Sequence, residues 1–548
     1  MHKEIHLKSL TLKALIDNAI QSFPANKSVS FVDGTPLNYT ELASEINKTA
    51  AILFGMGLEK GDKVALFSHN MPQWVVAYFA VVSKGMIIVP VLPDFSREEI
   101  KNVLEHSGCK ALFVSERLYP KVEGLNTPEL KNMIRLDDSV VIFGDQIQPA
   151  KQIPEIAVEE EDIAAIIYTS GTTGRSKGVI LTHKNITYVA KESFHVFAIN
   201  HEDVFLSFLP LSHTYENTIG MLYPIMYGAS IYYLEKPPTA VSLLPALSKI
   251  RPTMMLSVPL IMEKIFKVQI QGKFAKNHFS RVIYKTPLFR ILIHRIAGKK
   301  LYQTFGGRLK FFGIGGAKLD ARVERFLKEA RMPYAIGYGL TETAPLLAGA
   351  SPHQTKLHST GFAVRGVQLK IHEPDSKGVG EIWAKGPNVM QGYYKNPQAT
   401  AEVLTADGWF RTGDLGLIDK TGRVYIKGRM KNTIVGPSGE NIYPEDIESV
   451  INNSRYVLES IVVEEDGYLV AKVLLDIENI EKHYNHLKNI IEEKREHYQE
   501  WISHFTKDIN SKLNKNSQIK RVDLMENQFE KTASQKIKRF MYSDKKKK

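Results

Sequence analysis

The sequence predicts an α/β protein of more than one domain, and three observations carry that prediction. From about Leu37 to Leu256, apolar strand-like runs alternate with helical patterns, as in parallel sheets covered by helices. From Thr360 to Lys427, short strands and glycine turns such as "GEIWAKG" and "GRVYIKG" take over, which reads as an antiparallel β unit. After Gly428 a new strand and helix set begins. At 548 residues and 43% hydrophobic content the chain can bury a sizeable core, yet it is too long for one ordinary domain.

Taken in order, the N-terminus "MHKEIHLKSLTLKALIDNAI" has no uninterrupted apolar stretch and no small-residue cleavage site, so it does not read as a signal peptide. "KVALFSH" precedes a helix around Trp74 to Val82, "MIIVPVL" precedes "REEIKNVLEHSG", and "KALFVS" follows. The most apolar window, Val75 to Leu92, is broken by Ser83-Lys84-Gly85. It reads as a helix and a buried strand, not a membrane span. Between Val258 and Lys300 the chain is basic, with apolar residues at three to four spacing. That pattern predicts surface helices whose apolar faces pack on the core. In a last amphipathic stretch, Tyr484 to Leu513, the apolar positions Leu487, Ile490, Ile491, Tyr498, Trp501, Ile502, Phe505 and Ile509 mostly share one face. The boundary between a large and a small domain falls near Arg429 to Lys431, giving residues 1–430 and 431–548.

The net charge of +12 is unevenly placed: the last eighteen residues hold eight lysines and arginines against Asp544 alone, or +7. With the body only mildly basic, no nucleic-acid partner is expected. The Lys545 to Lys548 run is a solvated tail or a contact for anionic lipid headgroups. The single cysteine, Cys109, excludes an intrachain disulfide and any cysteine-based zinc site. A reducing, cytoplasmic compartment fits, with peripheral membrane contact through the tail as its variant.

Three loops carry the chemistry. "YTSGTTGRSKG", Tyr168 to Gly178, follows the apolar run Ile163 to Ile167. Its glycines let successive backbone N–H groups form a concave anion site, to which Thr169, Ser170, Thr172 and Thr173 add hydroxyls and Lys177 adds charge. Phosphate is the natural guest. The order Lys177-Gly178-Val179 separates this loop from a Walker A motif. In "GYGLTET", Gly337 to Thr343, Glu342 offers an oxygen ligand to a hard cation such as Mg²⁺, and Thr341 offers a phosphate donor. "GWFRTGD", Gly408 to Asp414, ends a turn with a carboxylate that could accept both hydroxyls of a ribose.

With "GIGGAKL" at 313–319, "KGRMKN" at 427–432 and "KTASQKIKR" at 531–539, these motifs closely resemble, in order and spacing, the adenylate-forming superfamily. It includes acyl-CoA synthetases, luciferases and peptide-synthetase adenylation domains. The resemblance covers essentially the whole chain. It implies a large N-terminal domain of parallel α/β sheets with a barrel-like β subdomain, and a small mobile α+β C-terminal domain. It further implies that Thr169, Ser170, Gly171, Thr172, Thr173, Gly174 and Lys177 hold the ATP β- and γ-phosphates. Gly315, Gly316 and Ala317, with Tyr338 and Gly339, would form the adenine slot. Thr341 would contact the α-phosphate, Glu342 the Mg²⁺, and Asp414 the ribose, with Arg429 close by. Lys536 would stabilise the carboxylate attacking the α-phosphate, and Lys431 would be the hinge about which the small domain turns to present the face around Gly439, Glu440 and Asn441 to a thiol.

Three positions depart from the family pattern: Gln535 stands where glycine is frequent, Asn432 where an acid is common, and Ile336 where a polar residue is usual near the adenine. "SFLPLSHTYENT", Ser207 to Thr218, looks like the matching segment of long-chain fatty acyl-CoA synthetases, which would put His213 and Tyr215 near the acyl carboxylate and the pocket mouth. The helical, apolar Val258 to Ile296 region is long enough to border an acyl tunnel or rest on a membrane. The implied reaction is activation of a fatty acid with ATP and Mg²⁺, then transfer to CoA. An acyl carrier protein as acceptor, or a binding scaffold without turnover, are the alternatives, and relatives of this kind are commonly homodimers.

Overall fold

A computed structural model describes residues 3–169, 176–266, 284, 286–435, 441–454, 456–476, 495–514, 517–532 and 537–543, the side chains of 495–501 excepted. By its packing the chain divides into two compact units. One comprises Met1–Lys370, Trp383–Thr412 and Asp419–Val424, and the other Ile371–Ile382, Gly413–Ile418 and Tyr425–Lys548.

The first unit contains two sheets of the kind the strand–helix alternation predicts. One has six strands, all parallel, in the order Val29–Phe31, Ser230–Tyr233, Val204–Ser207, Met254–Ser257, Phe311–Ile314 and Tyr334–Ile336. The other has eight. Its parallel centre runs Ile163–Thr169, Ile87–Val91, Lys63–Phe67, Ala111–Val114 and Asn132–Arg135. Antiparallel strands flank it, Val141–Phe143 at one end and Lys177–Thr182 then Gly392–Tyr393 at the other. The helix Pro72–Val82 packs against strands of both sheets. It starts on a proline, which loses nothing at a helix's first turn, and buries ten of its eleven residues. A helix covered on all sides is apolar all round, so the most hydrophobic window of the sequence is a core helix and the buried strand after it. Among the described residues no helix is long and apolar enough to cross a membrane.

In the predicted basic helical region, helices run over Pro259–Phe266 and Pro287–Thr304, while residues 267–283 lie outside the described part. The first buries Pro259, Met262 and Phe266, as expected, but for the second the expectation that its apolar face packs on the core needs correction. Leu288, Phe289, Leu292 and Ile296 are exposed, and His294, Gly298 and Leu301 are buried. Polar anchoring and close approach chose the inner face. Arg290 and His294 both reach Glu329, at 2.9 and 2.7 Å, and a side chain on Gly298 would lie 2.5 Å from the Ala330 methyl.

The β section begins with the antiparallel strands Tyr338–Gly339, Leu346–Gly349 and Gly361–Ala363, the last paired with Arg423 and Val424. In the second unit a three-stranded sheet, Val457–Glu465, Tyr468–Leu475 and Arg521–Met525, carries the helices Pro444–Asn452 and Arg495–Asn510. Ile447, Ile451, Val462, Val473, Phe505, Ile509 and Val522 form its core. Phe505 and Ile509 therefore face inward as their spacing predicts, whereas Leu487, Ile490 and Ile491 lie outside the described residues.

Candidate active site

In the first unit the site grows from strand ends. Phe311–Ile314 and Tyr334–Ile336 pair in parallel, with Ile314 opposite Ile336, so the loops that leave their C-terminal ends emerge side by side. Ligands of open α/β sheets settle at such ends. The first loop carries Gly315, Gly316 and Ala317; Gly315 is buried and the other two are exposed. The second leads through Ile336 to Tyr338 and Gly339 and into the turn Thr341–Thr343. At Gly339 a Cβ would fall 1.8 Å from the Pro345 carbonyl oxygen, so only glycine lets the turn fold back on its own strand. Asn388 fastens it, donating to the carbonyls of Thr343 (3.1 Å) and Leu346 (2.9 Å). Thr341 and Glu342 are left half-buried.

The phosphate-type loop closes an antiparallel hairpin in which Thr169 stands opposite Lys177. Ser170, Gly171, Thr172, Thr173 and Gly174 lie outside the described residues. The strand Gly392–Tyr393 adds to this hairpin, with Tyr393 opposite Val179. That register joins two motifs far apart in sequence. The Tyr393 hydroxyl donates to Glu342 Oε1 at 2.9 Å, and the Lys177 ammonium lies 4.8 Å from the centre of the Tyr393 ring, within cation–π range. Sequence reasoning missed Tyr393 and Asn388. The only local signal for the tyrosine is an aromatic pair after Gly392.

Tyr215 lies against the first loop. A Cβ on Gly315 would meet its ring at 3.1 Å, and one on Gly313 its hydroxyl at 2.8 Å. The glycines of this loop are therefore also what admits the tyrosine. His213 is half-buried just before the π-helical turn Glu216–Leu222, its carbonyl accepting from the Asn217 N–H at 2.9 Å.

In the second unit, Asp414 does not end a turn as its sequence suggested. The turn closes earlier, with the Gly408 N–H donating to Thr405 and the Thr405 N–H to Trp409, both at 2.9 Å. The chain is already extended at Phe410, and Asp414 sits inside the strand Phe410–Ile418. It is 5% exposed and receives the Arg429 Nε at 2.8 Å. Next to it the Gly413 N–H donates to Glu381 at 3.1 Å. Lys431 is exposed in the short turn Met430–Asn432. Asn432, where an acid is common, donates to Glu445 at 2.7 Å. Lys536 lies outside the described residues, as do Gly439 and Glu440. The chain on either side of Lys536 is paired, Lys531 with Ile537, and Arg539 binds Glu448, whose Oε1 also accepts from the Val462 N–H at 2.7 Å.

Among the described residues, no group of three or more His, Cys, Asp or Glu side chains could hold a metal by itself. A cation at Glu342 would take its other ligands from phosphates and water, the arrangement magnesium favours. The residues present fit the ATP and Mg²⁺ expected from the motifs.

Comparison with known proteins agrees. The AMP-binding enzyme family matches residues 16–394. The chain is 29% identical over 486 residues to the long-chain-fatty-acid–CoA ligase FadD15 of Mycobacterium bovis, across 82% of this chain and 79% of that one. It is also 29% identical over 536 residues to the chloroplastic long-chain-fatty-acid–[acyl-carrier-protein] ligase AEE15 of Arabidopsis thaliana, across 80% and 72%. The O-succinylbenzoate coenzyme A synthetase MenE of Bacillus subtilis, solved in complex with AMP, superposes with a TM-score of 0.76 at 22% identity, across 97% and 98%. That likeness shows the adenylate-forming fold. With matching sheets, matching motifs and a family match over most of its length, the chain belongs to the AMP-binding enzymes.

Proposed function

We propose that this protein activates a fatty acid, of long chain, as its adenylate with release of pyrophosphate, and then passes the acyl group to CoA. The observation that carries the reading is the convergence of Lys177, Tyr393 and Glu342 beside the strand-end loops. It brings a lysine and a carboxylate to the same tyrosine, an arrangement that supports a triphosphate and its metal meeting there. The relatives named as long-chain fatty acid ligases supply the acid.

In this reading a fatty carboxylate attacks the α-phosphorus of ATP while pyrophosphate leaves. Lys177 and the 169–177 loop draw the β- and γ-phosphates away, and Thr341 and Lys536 steady the charge gathering at the α-phosphate, the kind of term that dominates such catalysis. Magnesium held at Glu342 would neutralise phosphate charge. Asp414 takes the ribose hydroxyls, Arg429 orients Asp414, and Gly315, Gly316, Ala317, Tyr338 and Gly339 hold the adenine. His213 and Tyr215 serve the acyl end, and Tyr215 also backs the adenine loop. The domain carrying Lys536, residues 431–548, turns about Lys431 between the two half-reactions. A thiolate then displaces AMP and forms the thioester. No protein nucleophile takes part.

The test is AMP release with ATP and Mg²⁺ across saturated acids from acetate to stearate, each with CoA, with an acyl carrier protein, or with neither. Turnover that peaks at long acids and needs CoA is expected. Turnover with the carrier protein alone would move the acceptor to the one named for the Arabidopsis relative, and silence throughout would leave a binding scaffold. Lys536→Ala should bind ATP yet lose pyrophosphate–ATP exchange; surviving exchange would remove Lys536 from the mechanism.

A further inference from the structure

One buried acid has no part in the reaction above. Glu216 opens the π-helical turn Glu216–Leu222 and is 1% exposed. Among the described residues its Oε2 has no hydrogen-bond partner. The Ser207 hydroxyl acts on the carboxyl and lowers its pKa against the effect of burial; its Oγ accepts from Asn70 at 3.2 Å, which leaves its proton to point at the acid. Room for the carboxyl comes from Gly220, since a Cβ there would stand 2.7 Å from Oε1. π-turns insert a residue into a helix and concentrate at functional sites.

This turn touches both nucleotide loops. Tyr215, directly before it, lies against Gly313 and Gly315. Thr218, within it, donates through Oγ1 to the Ala344 carbonyl at 3.1 Å, at the end of the turn that presents Thr341 and Glu342. Both loops therefore rest on four consecutive residues, 215 to 218, whose centre is the acid.

We propose that Glu216 is a positioning residue for the nucleotide site: its buried carboxyl pins the π-turn that sets the glycine loop and the Thr341–Glu342 turn at their working separation. The proposal rests on the reading that these two loops bind ATP.

The surroundings decide how the pin fails. The groups that face it are the Ser207 hydroxyl and the Tyr233 and Tyr215 phenols. On the helix His183–Val196, which also packs against the turn, Lys191 and Glu192 pair with each other. Among the described residues no cation compensates the acid, and desolvation pushes it up to about 8. Its folded value is raised above its unfolded one. The stability it contributes is therefore full below the ordinary carboxylate range and is lost as pH rises toward about 8. Above that, a bare buried charge strains the turn.

The experiment is ATP affinity by calorimetry, without acid or CoA, from pH 6.5 to 9.5, for wild type, Glu216→Gln and Thr218→Val. The amide imitates the protonated acid. Glu216→Gln should match wild type near pH 7 and bind ATP about tenfold more tightly than wild type one unit above the acid's folded value, where about nine-tenths of the wild-type acid is ionised. Thr218→Val should weaken binding severalfold equally at every pH, because it cuts the tie to Ala344 without altering charge. An identical alkaline loss in wild type and Glu216→Gln would overturn the role of Glu216 while leaving the nucleotide site intact. A wild type that binds no ATP at any pH would instead overturn the nucleotide reading and this role with it.

Discussion

Two carboxylates that the motifs assign to nucleotide binding, one in each unit, are held in opposite ways. Glu342, in the first unit, accepts from the neutral phenol of Tyr393 at 2.9 Å, whereas Asp414, in the second, is paired with the Arg429 guanidinium at 2.8 Å. A phenol fixes the direction of a carboxylate without bringing a cation to it, the arrangement that the proposed magnesium contact of Glu342 needs. A guanidinium offsets the charge and leaves acceptor lone pairs, so Asp414 suits neutral hydroxyls better than cations. Residue type alone would not separate the two acids; their partners do.

The sharpest way to break this contrast is Glu342→Gln, which keeps shape and removes charge. Adenylation should fall by roughly 100 to 1,000-fold in kcat, as when one transition-state electrostatic partner is lost, and excess Mg²⁺ should not restore it. An effect confined to KM for the acid would show that Glu342 serves the acyl end instead. Next in size is Arg539→Met in the second unit. It leaves Glu448 buried without its cation and should lower the stability of that unit by about 3 kcal/mol in denaturant titrations. An unchanged midpoint would mean that the Val462 N–H alone suffices to hold the carboxylate.

Asp414→Asn should be milder, because the amide still offers one acceptor. KM for ATP should rise about 30-fold, near 2 kcal/mol, with the Mg²⁺ dependence untouched; a changed Mg²⁺ dependence would erase the contrast between the two acids. The smallest effect is expected from Tyr393→Phe. Losing one hydrogen bond to a half-buried carboxylate should weaken the apparent Mg²⁺ affinity about fivefold, near 1 kcal/mol. No change would mean that Tyr393 does not orient Glu342.

The legible part of this protein was local. The Pro72–Val82 helix and the Ile87–Val91 strand show in a run of apolar residues punctuated by Ser83-Lys84-Gly85. The loops proposed to hold the nucleotide show in the clustering of glycine, hydroxyls and charge after strand-like segments. Asp414 was read as the end of a turn, since a glycine and an aspartate side by side suggest one, although the turn had closed before Phe410. The helix Pro287–Thr304 was found as a helix but with the wrong face inward, because its spacing does not reveal that Glu329 and Ala330 wait on the other side.

By itself, then, the amino-acid order determined the strand and helix alternation and the order of the motifs. Backbone sterics and hydrophobic period act over a few residues, and both can be read along the chain. Only the tertiary structure decided which partner each acid has, a phenol for Glu342 and a guanidinium for Asp414. Tyr393 reaches Glu342 across 51 residues because the strand Gly392–Tyr393 pairs in one register on Lys177–Thr182, and a slip of one residue would send that side chain to the opposite face. Register of this kind is set by the packing of the whole sheet, and no local pattern records it.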